Sequence, residues 1–176
     1  GADIGFAGKN NFYESHGFSD VKGYREIESS YGKVFPKSKW GIYDDDLLDV
    51  FWEEFQRIAV IDKPFGFVGL TLDTHSPLGH ETPICKNRAY NHGESKILNS
   101  VHCADYLLSG FIKKFLDSPL SEDVVLIVSS DHLMMRNDAG LSSESQQRNN
   151  SFMVFNSGHS GQEIIRNATM LDVAPT

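Results

Sequence analysis

The apolar run Val124–Val128 is the feature that most constrains the fold. Four of its five residues are β-branched, and Ser129, Ser130, Asp131 and His132 follow it directly. A short continuous apolar run with polar ends is typical of a buried strand in a parallel sheet. Ligands of open α/β sheets bind beyond the carboxyl ends of strands, where Asp131 and His132 lie. A carboxylate beside an imidazole suits a divalent metal ion, although an aspartate there is often only a turn residue.

A second apolar run, Phe65–Asp73, predicts another strand, and it ends at Thr74 and His75. Two strands that both end in polar, histidine-containing segments indicate an active-site rim. His80 lies five residues after His75 and is a further candidate for the same pocket. The remaining histidines indicate helix, loop or surface positions: His16, His92, His102 and His159.

Helical periodicity is clear in two segments. The spacing of apolar residues predicts amphipathic helices over 47–59 and 95–117, and Ser118-Pro119 ends the second. Asp44–Asp46 precede the first helix. They suit its positive N-terminal end, a role favoured over the alternative of a metal-binding cluster. Trp40 and Trp52 lie beside or in this helix and are expected in the core.

The remaining segments also give predictions of secondary structure. The sequence predicts a short helix over 10–18 and an irregular segment over 19–39. It predicts a third strand over 151–157 and the start of another helix over 164–176. The order of strands and helices indicates an α/β fold with a mostly parallel sheet and flanking helices.

Composition excludes some function classes. A formal charge of −8 without a basic stripe argues against a general nucleic-acid binder. No stretch reaches the roughly 18 apolar residues that a membrane span needs. The chain has no initiator methionine, no signal-peptide pattern and an abrupt end, so we expect it to be a piece of a longer protein.

The two cysteines, Cys85 and Cys103, lie in a polar loop and in the second predicted helix. Two buried free thiols in a cytosolic protein are one interpretation. A disulfide between loop and helix is the other, and it would require an oxidising compartment.

Four motifs in order resemble the alkaline phosphatase/sulfatase superfamily, in its branch of lipoteichoic acid synthases and phosphoglycerol transferases. They are Phe65–His75 (FGFVGLTLDTH), Asn99–Phe115 (NSVHCADYLLSGFIKKF), SSDH at 129–132 and DVAPT at 172–176. The extended SSDHLMM at 129–135 is most similar to transferases that decorate osmoregulated periplasmic glucans. The resemblance covers residues 1–176 and implies the C-terminal part of an incomplete, alkaline phosphatase-like catalytic domain.

The resemblance implies a role for each matching residue. Asp131 and His132 fall on two metal ligands, and His75 falls on a histidine that contacts the phosphoglycerol group. Lys9 stands where the family has a phosphate-binding arginine, so it keeps the charge but loses the bidentate fork. The alternative for Lys9 is a solvated surface lysine. The cysteine pair also resembles this branch, which favours a Cys85–Cys103 disulfide worth on the order of 3 kcal/mol.

The resemblance further implies a mechanism and a setting. A metal-activated threonine or serine attacks the phosphate of a phosphatidylglycerol-type lipid, and a glucan hydroxyl then accepts the phosphoglycerol. The cation is expected to be Mn²⁺ or Mg²⁺, with Zn²⁺ as an alternative. The enzyme would act at the periplasmic face of the bacterial inner membrane, anchored by upstream helices. The nucleophile and another carboxylate ligand are expected upstream of Gly1, so we predict that the isolated chain binds metal weakly and has no turnover.

Two other function classes stay open at this point. One is a sulfatase or phosphoethanolamine transferase of the same superfamily. The other is a non-catalytic module that binds glucan, which exposed aromatic residues would favour.

Overall fold

The computed structural model describes residues 1–141, 149–159, 161–164, 168–169 and 172. The α-helices in these residues are α1 (Lys9–Ser15), α2 (Tyr24–Tyr31), α3 (Asp44–Ala59) and α4 (Lys96–Leu116). The strands are β1 (Leu126–Ser129) and β2 (Phe152–Phe155). Short 3₁₀ turns occupy Phe6–Gly8, Pro83–Cys85 and Pro119–Ser121.

The best-packed core lies between α2 and α3. The apolar spacing of α3 turns one face toward a buried cluster, which Tyr24, Tyr31 and Phe51 flank. Its fully or almost fully buried members come from α2, α3 and the segment between them: Ile27, Phe35, Ile42, Leu47 and Val50. This cluster fixes the start of α3 and the turn before it.

Helix α4 packs on α3 through aromatic rings. Phe55 and Phe115 have ring centroids 5.5 Å apart, and Trp52 and Phe111 have centroids 6.3 Å apart. Ser95 begins α4, because its hydroxyl accepts the N–H of Leu98. The structure confirms the helices predicted over 10–18, 47–59 and 95–117 to within a few residues.

The prediction of an irregular segment over 19–39 is wrong, because α2 lies within it. The Glu26 carboxylate accepts the N–H of Gly23, 2.9 Å away, and satisfies a free donor at the start of the helix. Gly32 ends the helix in the left-handed conformation that glycine adopts readily. Both signals are present in the sequence, but a helix this short and polar has little periodicity to detect.

The sheet in the described residues differs from the prediction. Strands β1 and β2 pair antiparallel, with Leu126 opposite Phe155 and Ser129 opposite Phe152, so the parallel arrangement is wrong for this pair. The predicted strand Phe65–Asp73 joins no ladder within the described part of the chain. An apolar run shows that a segment suits burial, but it does not encode the direction or presence of a partner.

The predicted helix over 164–176 falls mostly outside the described residues, as does the DVAPT motif apart from Asp172. Of the helices that the structure describes, none combines the length and apolarity needed to cross a bilayer.

A large concave space separates the face of α3 and α4 from the segment 65–76 and β1. Its volume is about 2260 Å³, whereas single-ligand pockets typically enclose about 300–1,000 Å³. A binding site can therefore occupy only part of it. Its lining includes polar residues from both predicted site segments: Thr74, His75, Ser76, Ser129, Ser130, Asp131 and His132.

Candidate active site

His75 forms the first part of the site. Its backbone N–H donates to the Leu72 carbonyl at 3.0 Å, and its half-buried ring places Nδ1 2.7 Å from the Ser76 carbonyl oxygen. A carbonyl oxygen only accepts hydrogen bonds, so Nδ1 must carry a hydrogen. Nε2 is therefore the ring nitrogen that can serve a ligand.

Trp40 covers the face of the His75 ring. The two ring centroids are 4.1 Å apart with an interplanar angle of 30°, and Phe6 contacts Trp40 edge-on with centroids 6.1 Å apart. Trp40 lines the cavity, so its expected place in the core is wrong. A tryptophan between Lys39 and Gly41, outside any apolar periodicity, was the available signal. We call His75, Ser76 and Trp40 the His75 corner.

The turn after His75 packs on α4. Gly79 adopts a φ of +68°, and a Cβ at this position would lie 2.4 Å from the Ser100 hydroxyl oxygen, so only glycine fits. The Gly79 N–H donates to the His75 carbonyl at 3.0 Å. This close approach sets the position of the histidine relative to the helix.

His80 lies beside the site. Burial lowers the pKa of its imidazole, and the nearby Lys39 and His75 lower that pKa further. The ring is close enough to His75 for this electrostatic effect, but His80 is not among the residues that line the cavity. The structure thus places it behind the ligand-facing side chains.

Lys9 lies in the first turn of α1 and lines the cavity. Its ammonium nitrogen is 5.5 Å from the centroid of the Phe6 ring, which in turn contacts Trp40. The half-buried lysine therefore approaches the His75 corner through two aromatic rings. The phosphate contact of Lys9 stays a prediction.

Asp131 and His132 form the second part, which we call the Asp131 corner. Strand β1 ends at Ser129, and the Ser130 N–H donates to the Ser151 carbonyl at 3.0 Å, which carries the pairing one residue further. The side chains of Asp131 and His132 then leave the sheet, with 63% and 54% of their surfaces exposed. Asp131 Oδ2 and His132 Nε2 are 3.6 Å apart.

The chain brings the two corners to one cavity. Ser76 and Met135 are linked by a weak hydrogen bond of 3.4 Å from hydroxyl to carbonyl, and the Asp138 N–H donates to the Pro77 carbonyl at 3.3 Å. The site residues that line the shared cavity are Lys9, Trp40, His75, Asp131 and His132. Two segments almost sixty residues apart in sequence thus face the same space.

The Asp131 corner fits part of a metal site. His132 Nδ1 lies 2.8 Å from the Leu133 carbonyl oxygen and therefore carries a hydrogen, which leaves the Nε2 lone pair directed toward Asp131. An oxygen and a nitrogen 3.6 Å apart can share a cation about 2.1 Å from each. No group of three histidine, cysteine or acidic side chains suited to a metal occurs in the described residues, so Asp131 and His132 are the two candidate ligands at this corner.

A buried acid pair lies behind the His75 corner. Asp44 accepts the N–H groups of Leu72 and Asp73 at 2.8 and 3.2 Å, and its own N–H donates to Asp73 Oδ2 at 2.8 Å. Burial and the charge of Asp44 raise the pKa of Asp73 to about 8. The three acids lie in the first turn of α3, as expected, and the Asp44 carboxylate additionally holds the segment before His75.

Cys85 and Cys103 form a disulfide, with Cα atoms 5.8 Å apart. Both residues are buried. The bond ties the loop after His80 to α4 at Cys103, four residues after Asn99, whose side chain accepts the Tyr90 N–H at 2.9 Å.

This arrangement defines a class of protein: an α/β domain in which an acid and two histidines, Asp131, His75 and His132, line one cavity. The sulfatase family model matches residues 1–176, so the chain belongs to the sulfatase family. A crystal structure of an alkaline phosphatase superfamily protein from Vibrio parahaemolyticus is similar, with a TM-score of 0.64 and 30% identity. The match covers 75% of this chain and 31% of that one. The alkaline phosphatase-like fold is thereby confirmed.

Two curated relatives narrow the comparison. The chain is 36% identical to phosphoglycerol transferase I of Xanthomonas campestris pv. campestris over 173 residues, which cover 96% of this chain. It is also 36% identical to phosphoglycerol transferase I of Escherichia coli over 183 residues, which cover 98% of this chain. The chain spans 24% of the length of each relative. The resemblance to the phosphoglycerol transferase branch is confirmed.

Proposed function

We propose that this chain is the part of a metal-dependent phosphoglycerol transferase that supplies two metal ligands and the phosphoglycerol contacts. One observation carries the proposal: Lys9, His75, Asp131 and His132 line one cavity although they come from three distant segments. The curated relatives named phosphoglycerol transferase I support the reaction class.

Asp131 and His132 would hold the cation through Oδ2 and Nε2. A bound divalent cation would lower the pKa of a coordinated hydroxyl and offset charge on the phosphoryl oxygens. His75, with Nδ1 fixed by the Ser76 carbonyl, would direct Nε2 to a phosphoryl or glycerol oxygen. Lys9 would add a positive charge on the same side.

The remaining parts of the mechanism belong to the proposal as well. We place the nucleophile and a further carboxylate ligand in a part of the protein upstream of these residues. The donor would be a phosphatidylglycerol-type lipid and the acceptor a glucan, at the periplasmic face of the inner membrane. The Cys85–Cys103 disulfide supports this setting, because disulfides persist in oxidising compartments.

The proposal is tested in the full-length protein with Asp131→Asn and His132→Ala. Each variant should lose at least ~100-fold in glycerol phosphate transfer from phosphatidylglycerol vesicles, because a catalytic metal supplies several kcal/mol of transition-state stabilisation. Bound Mn²⁺, measured by elemental analysis after gel filtration, should fall in parallel. His92→Ala alters an exposed loop histidine and should change neither quantity.

Full activity and full metal content in both ligand variants would contradict the proposal and favour a non-catalytic, glucan-binding module. The donor is tested separately, by offering the full-length protein a sulfate ester and phosphatidylethanolamine. Turnover of either, without turnover of phosphatidylglycerol, would assign the chain to a sulfatase or a phosphoethanolamine transferase. The isolated 176-residue chain should bind Mn²⁺ weakly and show no turnover, and measurable turnover would show that the nucleophile lies within it.

A further inference from the structure

We propose that Trp40 is a positioning residue that holds the His75 imidazole in its ligand-facing orientation. The inference rests on the proposed function, because it concerns how the chain presents a phosphate-contacting histidine. It assigns a role to a residue that lies 35 positions before the histidine in the sequence.

Two contacts hold the His75 ring from different directions. The Ser76 carbonyl accepts a hydrogen bond from the edge of the ring, at Nδ1, and the Trp40 indole covers one face with centroids 4.1 Å apart. A rotation of the imidazole about its side-chain bonds would break the hydrogen bond and push the ring out of the stack. The edge contact selects the tautomer, and the face contact fixes the plane.

Trp40 is itself held in place. Phe6 contacts it edge-on, and the Lys39 ammonium lies 5.8 Å from its ring centroid. Its backbone N–H donates to the Ser38 hydroxyl at 3.1 Å within the turn before α3. The indole therefore offers the histidine a fixed surface.

The state of the indole N–H indicates that Trp40 contributes its aromatic ring, and not a hydrogen bond. The Trp40 Nε1 atom is buried and has no hydrogen-bond partner in the described part of the structure. A buried donor without a partner is unfavourable, so a hydrogen bond does not explain a tryptophan at this position. A flat aromatic surface against His75 does. The same argument predicts that phenylalanine, which lacks the N–H, can replace it.

The position of Trp40 sets the size of the expected effect. A catalytic group that moves by about 1 Å can lose on the order of 100-fold in rate, although the moving residue is remote from the chemistry. In the full-length protein, Trp40→Ala should therefore lower kcat for transfer from phosphatidylglycerol vesicles by ~10–100-fold, with a smaller change in KM. Trp40→Phe should retain kcat within about threefold, because it keeps the stack.

A double-mutant cycle gives the decisive measurement. If Trp40 acts through His75, the variant with both Trp40→Ala and His75→Ala should be no slower than His75→Ala alone. A purely structural role would instead make the two losses multiply. Trp52→Ala is the matched control, because it removes the other tryptophan from a packing site outside the cavity. It should lower the melting temperature and leave kcat unchanged.

The outcomes separate the two proposals. If His75→Ala has full activity, the proposed function loses its phosphate contact, and the inference about Trp40 fails with it. If His75→Ala is slow but Trp40→Ala is fully active, or if their losses multiply, the inference alone is overturned. If the Trp40→Ala variant does not fold, Trp40→Leu takes its place in the double-mutant cycle, because leucine keeps an apolar side chain but lacks the flat ring.

Discussion

The two corners of the site differ in how the chain supports them. The His75 corner is half-buried, with the histidine held by a carbonyl on one edge and by Trp40 on one face. The side chains of the Asp131 corner are more than half exposed, and the contacts around it run mainly through the backbone of neighbouring residues. The structure thus fixes the ring of His75, whereas the side chains of the Asp131 corner extend toward solvent. Under the proposed function, His75 would meet the phosphoglycerol group with its ring already oriented, and a bound cation would complete the Asp131 corner, where the Leu133 carbonyl already holds the His132 ring.

Helix α4 anchors both corners. The disulfide and the Gly79–Ser100 contact join the segment after His75 to the first half of the helix. The Asp138 carboxylate joins the loop after His132 to the helix N-terminus, where it accepts the N–H groups of Lys96 and Ile97 and the Ser95 hydroxyl. The relative position of the corners therefore depends on this helix more than on the short sheet.

A large stability effect should come from breaking the anchor of the His75 corner. Replacing Cys85 and Cys103 together by serine should lower the free energy of unfolding by about 3 kcal/mol, the chain-entropy value for a loop of this length. Urea denaturation followed by tryptophan fluorescence measures the loss. The native protein under reducing conditions is the control and should give the same midpoint as the double variant. An unchanged midpoint in both samples would show that the bond does not constrain this loop.

The acid pair behind His75 gives the next effect, through pH. Because the pKa of Asp73 is raised from 3.8 to about 8 by burial and by Asp44, the folded protein holds a proton that the unfolded chain releases between those values. The free energy of unfolding should therefore fall as pH rises through this window, by up to about 1.4 kcal/mol per pH unit. Asp73→Asn keeps the neutral form and should remove most of this dependence, while burial still raises the pKa of Asp44.

Thermal melts at pH 5, 6.5 and 8 provide the measurement. The native protein should lose melting temperature across the series, and the Asp73→Asn variant should lose much less. Asp49→Asn alters an exposed acid on α3 and serves as the control, with the native slope expected. If Asp73→Asn keeps the full native slope, the acid pair is not the cause of the pH dependence.

The sequence predicts the site residues at the ends of apolar runs, but not the contacts that hold them, for a physical reason. His75, Asp131 and His132 each follow an apolar run directly, so local order alone places them at segment ends. Trp40 and the Asp44–Asp73 pair depend on contacts between segments about 30 residues apart, which no local period reports. The triple acid at 44–46 shows the difference. Its charge correctly predicts the start of α3, but its first carboxylate is used by a distant backbone segment.

The dependence on contacts between distant segments also explains why the predicted strand pairing is wrong. Helices α3 and α4 satisfy their backbone hydrogen bonds internally, so their sequences predict them well. A strand satisfies its hydrogen bonds only with a partner. Strand β1 pairs antiparallel with β2, and the run 65–73 has no ladder in the described residues, although both runs predict strands. Pairing direction belongs to the assembled sheet and not to the individual segment.

The smallest effect tests the anchor of the Asp131 corner. Ser95→Ala should lower the free energy of unfolding by about 1 kcal/mol, because the hydroxyl caps α4 at the Leu98 N–H and also donates to Asp138. Ser109→Ala, in the exposed middle of the same helix, should change stability by less than about 0.5 kcal/mol and is the matched control.

Hydrogen exchange in the Ser95→Ala variant then distinguishes the two corners. Exchange in residues 131–138 should accelerate in Ser95→Ala while His75 and its neighbours stay protected, because the disulfide and the Gly79–Ser100 contact still hold the segment after His75 on α4. Equal acceleration of exchange at both corners would contradict this prediction. It would show that the loss of the α4 cap destabilises both corners together, so that they open as one cooperative unit.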